Sequence, residues 1–215
     1  FYIQGTNFVR PIKYFEKKGS AQIKSCIMLA SLNSPGVTKI NAKKSRNHTE
    51  ILYKFLKLPI TVTNKKELDL IEINGEKKIY PFNYSIPSDI SSSAFFIVLT
   101  LLSKKSRLVI KNVNVNSSRT GCISILNKMG ANIIFKNKKK YNGEKTADIH
   151  IKSKNSFKAI NCPTKYNASA IDEFLVIFLI AAKAKGISYF KDLEELNQKE
   201  SPRLKLGSKI LNMIG

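Results

Sequence analysis

The chain has 215 residues, of which 43% are hydrophobic, and this is enough for one large globular domain or two small ones. Its three widely spaced cysteines and two isolated histidines argue against a disulfide framework and against a structural zinc site. The net charge of +22 would suit an anionic partner, but the lysines are scattered and lack interleaved aromatic side chains, so we expect no nucleic-acid binding.

The first part of the chain is predicted to alternate strands with apolar helices. The elements are an extended segment up to residue 15, a turn over 17–19, a helix over 20–32, a strand over 37–40 and a helix over 45–58. Ser20 or Gly19 can cap the first helix, which leaves free N–H groups and a positive dipole end near Gln22.

The middle of the chain is predicted to contain short strands around one buried helix. Residues 60–86 alternate in β-like runs, with Asn74-Gly75 as a hairpin turn, and a cluster of Asp and Ser over 88–93 caps a helix that reaches Leu102. Further on, strands are predicted over 108–115, 131–136, 148–152 and 157–160, with a helix over 122–129. The lysine run over 136–140 and the Asn142-Gly143 turn are expected to form an exposed, solvated loop.

The order of these elements repeats along the chain. An apolar helix, a glycine, a short strand and a second helix recur over 21–60, 92–134 and 170–215. This repetition predicts an α/β protein built from βαβαββ-like units whose apolar helices stack inward.

Charged residues concentrate at two predicted helix starts near the end of the chain. Asp172 and Glu173 open an apolar helix, where carboxylates favour the positive dipole end, and Lys199-Glu200-Ser201-Pro202-Arg203 leads into a last helix that ends near residue 215. Such charges suit a site for an anionic substrate. The spacing alone favours the simpler explanation, in which Asp172 and Glu173 are helix-end charges and Lys199, Glu200 and Arg203 form a solvated helix face.

Several of these motifs together resemble the EPSP synthase (3-phosphoshikimate 1-carboxyvinyltransferase) family. The resemblance rests on Ser-Ala-Gln-x-Lys-Ser over 20–25, Ser-Arg-Asn-His-Thr-Glu over 45–50, Pro-Ser-Asp-x-Ser-Ser over 87–92, Ile-Asp-Glu-Phe over 171–174 and the Lys-Glu-x-x-Arg group over 199–203. The chain departs from the family pattern at four places: Asn47 and Pro202 each replace an Asp, Ser88 replaces a Gly, and Asn197-Gln198 replaces Arg-Val.

The resemblance implies a fold and a reaction. The fold would be the inside-out, two-domain α/β architecture of the enolpyruvyl transferases, with residues 1–85 in the first domain and 86–215 in the second. The reaction would transfer the enolpyruvyl (carboxyvinyl) group of phosphoenolpyruvate to the 5-hydroxyl of shikimate 3-phosphate and release phosphate, on the shikimate pathway to chorismate and the aromatic amino acids. Members of the family are about twice this length, so we expect a central fragment that is inactive alone.

The resemblance also implies roles for individual residues. Asp172 would orient and deprotonate the hydroxyl, and Glu200 would serve proton transfer at the phosphoenolpyruvate carbon. The residues expected to hold shikimate 3-phosphate are Ser20, Ala21, Gln22, Ser45, Arg46, Asp172 and Lys199. Gln22 and Arg203 would hold phosphoenolpyruvate. Arg46 suits a phosphate, because its planar guanidinium can bind two oxygens. His48 is interpreted as structural, and neither a cofactor nor a metal is expected.

Alternatives at this point are the related UDP-N-acetylglucosamine enolpyruvyl transferase and a non-catalytic basic binding protein. The chain shows no signal-peptide pattern and no apolar run of about 18 residues, so we expect a cytoplasmic protein without a membrane partner. The resemblance further implies a monomer when full-length.

Overall fold

A computed structural model describes residues 2–75 and 78–214, and the parts of the predicted elements that fall on Phe1, Glu76, Lys77 and Gly215 lie outside the described residues. The chain divides into two units, Phe1–Ser85 and Ile86–Gly215. Across the described ranges, none of the helices has the length and apolar character needed to cross a bilayer.

The first unit is one complete βαβαββ repeat. Its elements are β1 (Lys13–Glu16), α1 (Ala21–Ser31), β2 (Val37–Lys43), α2 (His48–Phe55), β3 (Ile60–Asn64) and β4 (Leu68–Asn74). The strands form one sheet in the order β1-β2-β4-β3, in which β1 and β2 are parallel and the other pairs are antiparallel. Thr38, Ile40 and Ala42 alternate with exposed residues along β2, so one face of the sheet packs against the helices.

The second unit begins with a repeat of the same topology. Its elements are α3 (Ile90–Leu102), β5 (Arg107–Asn114), α4 (Gly121–Lys128), β6 (Ile133–Tyr141) and β7 (Glu144–Lys152), with the strands in the order β5-β7-β6. Ser88 pairs in parallel with Val113 of β5, at the position that β1 has beside β2 in the first unit. The predicted repetition of βαβαββ units is therefore confirmed, and it follows from helices and strands that each bury an apolar face.

A third run of the pattern follows in the second unit. It contains β8 (Phe157–Lys158), α5 (Asn167–Ala170), α6 (Phe174–Ala182), β9 (Ala184–Lys185) and α7 (Arg203–Met213). The strands β8 and β9 are parallel. Helix α6 carries no charged residue, and Phe174, Ile177 and Ile180 are fully buried in the core of this unit. Its predicted burial is confirmed.

The predicted hairpin turn at Asn74-Gly75 is wrong. Asn74 ends β4, and the hairpin instead joins β3 to β4 through residues 65–67, where Lys65 N donates to Leu68 O at 2.9 Å. Gly75 is needed for a different reason. A Cβ at this position would lie 1.8 Å from the carbonyl oxygen of Ser34, so only glycine allows the two backbone segments to approach this closely.

The predicted loop over the lysine run is also wrong, because residues 136–140 belong to β6. The Asn142-Gly143 turn is confirmed as the hairpin between β6 and β7, and both residues adopt positive φ, 49° and 85°. β6 lies at the edge of its sheet and its lysines are exposed. Charged edge strands of this kind resist pairing with other chains, which gives the lysines a structural explanation.

Other differences concern element ends. The opening strand is confined to β1, the helix predicted from residue 45 begins at His48, and the strand predicted over 157–160 covers only Phe157–Lys158. Tyr189 contributes an isolated bridge, in parallel with Asn161. These ends depend on which backbone groups find partners, a property that hydrophobic patterning does not specify.

Candidate active site

The backbone just before α1 is fixed by a carboxylate at the end of β1. The Glu16 carboxylate, buried at the end of β1, accepts hydrogen bonds from the backbone N–H groups of Lys18 at 2.9 Å and Gly19 at 2.7 Å. Ser20 is the N-cap, and its Oγ accepts from Ile23 N at 3.2 Å. Gln22 is exposed in the first turn, so a polar side chain stands at the positive end of the helix dipole.

The segment containing Ser45 and Arg46 lies beside α1. The ammonium group of Lys24, one turn into α1, donates to the backbone oxygen of Arg46 at 2.8 Å. Ser25 and Thr49 share a hydroxyl–hydroxyl hydrogen bond of 2.7 Å. The Ser45 hydroxyl is buried and has no hydrogen-bond partner in the described ranges. The first unit therefore brings two of the predicted binding segments together, at the N-termini of α1 and α2.

In the second unit, one arginine joins the two predicted catalytic carboxylates. Arg203, the first residue of α7, contacts Asp172 Oδ1 at 3.3 Å through Nη1 and Glu200 Oε2 at 2.7 Å through Nη2. The side chains of Asp172 and Arg203 are each about a quarter exposed, whereas that of Glu200 is 81% exposed. Lys199 pairs with Glu195 at 2.8 Å, one turn earlier in the chain.

The protonation of Glu200 is biased by these contacts. A hydrogen bond from its own backbone amide, together with the hydrogen bond and the charge of Arg203, lowers the pKa of Glu200 below its usual value. Glu200 is therefore a carboxylate at neutral pH in this arrangement, and it must be protonated before it can donate a proton.

Pro202 leaves the start of α7 intact. It occupies the N-cap position, where its carbonyl accepts from Leu206 N at 3.0 Å, but its side chain has no acceptor for the first N–H groups of the helix. Asn197 supplies that acceptor, because its Oδ1 receives Leu204 N at 3.0 Å and Lys205 N at 3.3 Å. Asn197 is itself one of the departures from the family pattern, and the sequence did not predict this contact.

A buried carboxylate beside Asp172 ties together three helix starts. Glu173 is 3% exposed and accepts a short hydrogen bond from Ser91, whose hydroxyl in turn accepts from Arg119. Arg119 also pairs with Asp89, the N-cap of α3, at 3.1 Å. This network holds the segments before α3, α4 and α6, and hence the backbone that carries Asp172. Two features of the sequence indicated this network, namely the acidic residue next to Asp172 and the cluster of Asp and Ser over 88–93.

Two further features bear on the chemistry of this unit. A cavity of about 940 Å³ lies between α6, residues 188–194 and α7, and none of the predicted site residues lines it. Among residues 2–75 and 78–214, no group of three or more His, Cys, Asp and Glu side chains is placed to hold a metal ion. Arg203 brings positive charge into direct contact with Asp172 and Glu200, and the charge of Lys199 also acts on Glu200.

This arrangement of helices and strands is the enolpyruvyl transferase fold, and the fold defines the class of the protein. The structure superimposes on the enolpyruvyl transferase NikO from Streptomyces tendae with a TM-score of 0.62 at 11% identity, over 84% of this chain and 44% of that one. At such low identity the similarity shows the fold alone.

The chain belongs to the EPSP synthase family. The family model described as EPSP synthase (3-phosphoshikimate 1-carboxyvinyltransferase) matches residues 1–215. EPSP synthase from Acinetobacter baumannii superimposes with a TM-score of 0.82 at 35% identity, over 94% of this chain and 45% of that one. The resemblance seen in the sequence motifs is thereby confirmed.

Curated relatives agree with this assignment. Proteins named 3-phosphoshikimate 1-carboxyvinyltransferase from Zymomonas mobilis and Legionella pneumophila are 37% and 39% identical over 95% and 99% of this chain. The matches cover 45% and 48% of those relatives, so the chain spans about half the length of the curated relatives that it matches.

Proposed function

We propose that the protein transfers the enolpyruvyl group of phosphoenolpyruvate to the 5-hydroxyl of shikimate 3-phosphate and releases phosphate, on the route to chorismate and the aromatic amino acids. The observation that carries the proposal is the Asp172–Arg203–Glu200 contact in a chain of the EPSP synthase family. Two carboxylates bridged by a guanidinium provide proton acceptors beside a group that binds an anionic substrate.

The reaction needs three proton transfers, one from the substrate hydroxyl and two at the methylene carbon. In the addition step, Asp172 takes the proton of the substrate hydroxyl while the hydroxyl oxygen forms a bond to C2 of phosphoenolpyruvate, and the protonated form of Glu200 gives its proton to the methylene carbon. In the elimination step, Glu200 takes a proton back from that carbon, the C–O bond to phosphate breaks, the double bond reforms, and Asp172 releases the hydroxyl proton to solvent. Glu200 serves the carbon centre in both steps, and its lowered pKa makes its protonated form a stronger acid and its carboxylate a weaker base.

Both units would supply substrate ligands. Helix N-termini and arginines bind phosphates well, and the N-terminus of α1 and the segment before α2 supply such groups in the first unit. The residues assigned there to shikimate 3-phosphate are Ser20, Ala21, Gln22, Ser45 and Arg46. In the second unit, Asp172 and Lys199 contribute to the same substrate. Gln22 and Arg203 bind phosphoenolpyruvate, and we assign the units Phe1–Ser85 and Ile86–Gly215 to the two domains of the family.

The same proposal covers the cellular location, the oligomeric state and the partners of the protein. It acts as a cytoplasmic enzyme and as a monomer in its full-length form, without nucleic-acid or membrane partners. The exposed lysines over 136–140 support this view, because their place on an edge strand gives them a structural role that needs no nucleic-acid partner.

The test is steady-state phosphate release by the full-length protein. Shikimate 3-phosphate and phosphoenolpyruvate together should give turnover, and UDP-N-acetylglucosamine as the acceptor should give none. Release with the nucleotide sugar but not with shikimate 3-phosphate would overturn the assignment. An Asp172→Asn variant serves as the control, because it keeps the size of the side chain and removes the base.

A further inference from the structure

We infer that Lys24 is a positioning residue for the phosphorylated substrate, because its buried ammonium group fixes the Ser45–Arg46 segment against the N-terminus of α1. The inference rests on the proposed function, in which both segments contact shikimate 3-phosphate. Lys24 would act through Arg46 and would not touch the substrate itself.

The contacts of Lys24 are unusual for a lysine. Its side chain is only 1% exposed, and its Nζ lies 2.6 Å from Glu50 Oε1, in a side chain that is 5% exposed. The same Nζ donates to the backbone oxygen of Arg46 at 2.8 Å. One ammonium group therefore joins three parts of the unit: α1, the first turn of α2 and the segment that precedes α2.

The surroundings of this pair are poorly solvated. Tyr53, one turn after Glu50 on α2, is 2% exposed, and burial raises its pKa to about 12. Neither oxygen of Glu50 makes a well-directed hydrogen bond in the described part of the chain, so the contact with Lys24 is chiefly electrostatic. Taking two charges out of water is costly, and a buried pair often contributes no more stability than apolar residues of similar size.

Stability alone therefore explains this pair poorly, whereas positioning explains it directly. Apolar side chains at 24 and 50 could fill the same space, but they could not donate to the Arg46 carbonyl. The hydroxyl pair of Ser25 and Thr49 is a second tie between the helices. Loss of Lys24 should thus shift the Ser45–Arg46 segment without separating α1 from α2.

The experiment separates packing from positioning in the full-length enzyme. Lys24→Met alone leaves the Glu50 carboxylate buried without its partner and should lower Tm strongly. The double variant Lys24→Met/Glu50→Leu removes both charges and should recover most of that Tm. If Lys24 positions Arg46, the double variant should still show a KM for shikimate 3-phosphate raised about tenfold, with KM for phosphoenolpyruvate changed less than about twofold.

A matched control is Tyr53→Phe, which alters a buried polar group on α2 that has no hydrogen bond to Arg46. It should leave both KM values unchanged. A double variant with recovered Tm and an unchanged KM for shikimate 3-phosphate would show that Lys24 is only structural.

A second measurement keeps this inference distinct from the proposed function. Amide hydrogen exchange over residues 45–49 should be faster in the double variant than in the wild type, whichever substrates the enzyme uses. A wild-type enzyme without turnover on shikimate 3-phosphate would overturn the proposed function. Unchanged exchange over 45–49 in the double variant would overturn the positioning role.

Discussion

Helix α7 carries Arg203 at its first position, and its start depends on a side chain outside the helix. Asn197 Oδ1 accepts the backbone N–H groups of Leu204 and Lys205 at 3.0 and 3.3 Å. Pro202 at the N-cap cannot supply this acceptor. We therefore predict that Asn197→Ala loosens the first turn of α7 and displaces Arg203 from Asp172.

The expected size of the effect follows from helix capping. Loss of a side-chain cap costs about 1 kcal/mol, and here the freed N–H groups are at the surface, where water partly replaces the lost acceptor. A change of about 1 kcal/mol alters the population of an ordered first turn roughly fivefold. Since Arg203 is proposed to bind phosphoenolpyruvate, kcat/KM for that substrate should fall by a similar factor.

The assay combines hydrogen exchange over residues 203–207 with steady-state kinetics of the full-length enzyme. Exchange in that segment should accelerate in Asn197→Ala, while exchange in α6 should not change. Adding Pro202→Asp should restore both exchange and kcat/KM, because a carboxylate at the N-cap accepts the same N–H groups. Adding Pro202→Ala should not restore them. Slow exchange in Asn197→Ala would refute this account of how α7 begins.

Three further predictions concern the candidate site. Asp172→Ala should lower kcat by about 10²–10⁴-fold with a much smaller change in KM, because Asp172 takes the hydroxyl proton of the substrate in the transition state. A near-normal kcat would exclude Asp172 as the base. Arg203→Ala should mainly raise KM for phosphoenolpyruvate, and the pKa of Glu200 should rise toward its usual value, which a carboxyl NMR titration measures. The 215-residue chain by itself should release no phosphate from the two substrates, because it spans about half the length of its relatives, and steady release would contradict that expectation.

Local sequence features were sufficient for much of the fold. Apolar periodicity predicted the helices α1, α3, α4 and α6 to within a few residues, and the recurring order of elements predicted the βαβαββ repeat. The turn at Asn142-Gly143 was also predictable, since a residue pair that tolerates positive φ is a local property. The sequence motifs further identified the family.

Tertiary structure decided what depends on distant partners. The Asn74-Gly75 pair has the composition of a hairpin turn, but Gly75 serves a close backbone approach to Ser34 that only the folded chain creates. The lysines over 136–140 look like a solvated loop by charge, yet pairing with β7 makes them an edge strand. At Gly75 local preference was overruled by a segment far away in the sequence, and at the lysine run it was overruled by pairing with the neighbouring strand.

In the candidate site, too, some features were predictable from the sequence and others were decided by the tertiary structure. Its residue types and helix starts were visible in the sequence, but the contact of Arg203 with Asp172, 31 positions away, is a product of how α6 and α7 pack. The Lys24–Glu50 pair and the Asn197 cap likewise arise only in the folded chain, because the pair depends on burial and the cap on the direction of the Asn197 side chain. A sequence shows which groups are available, and packing decides which of them lie within about 3 Å of one another and out of water.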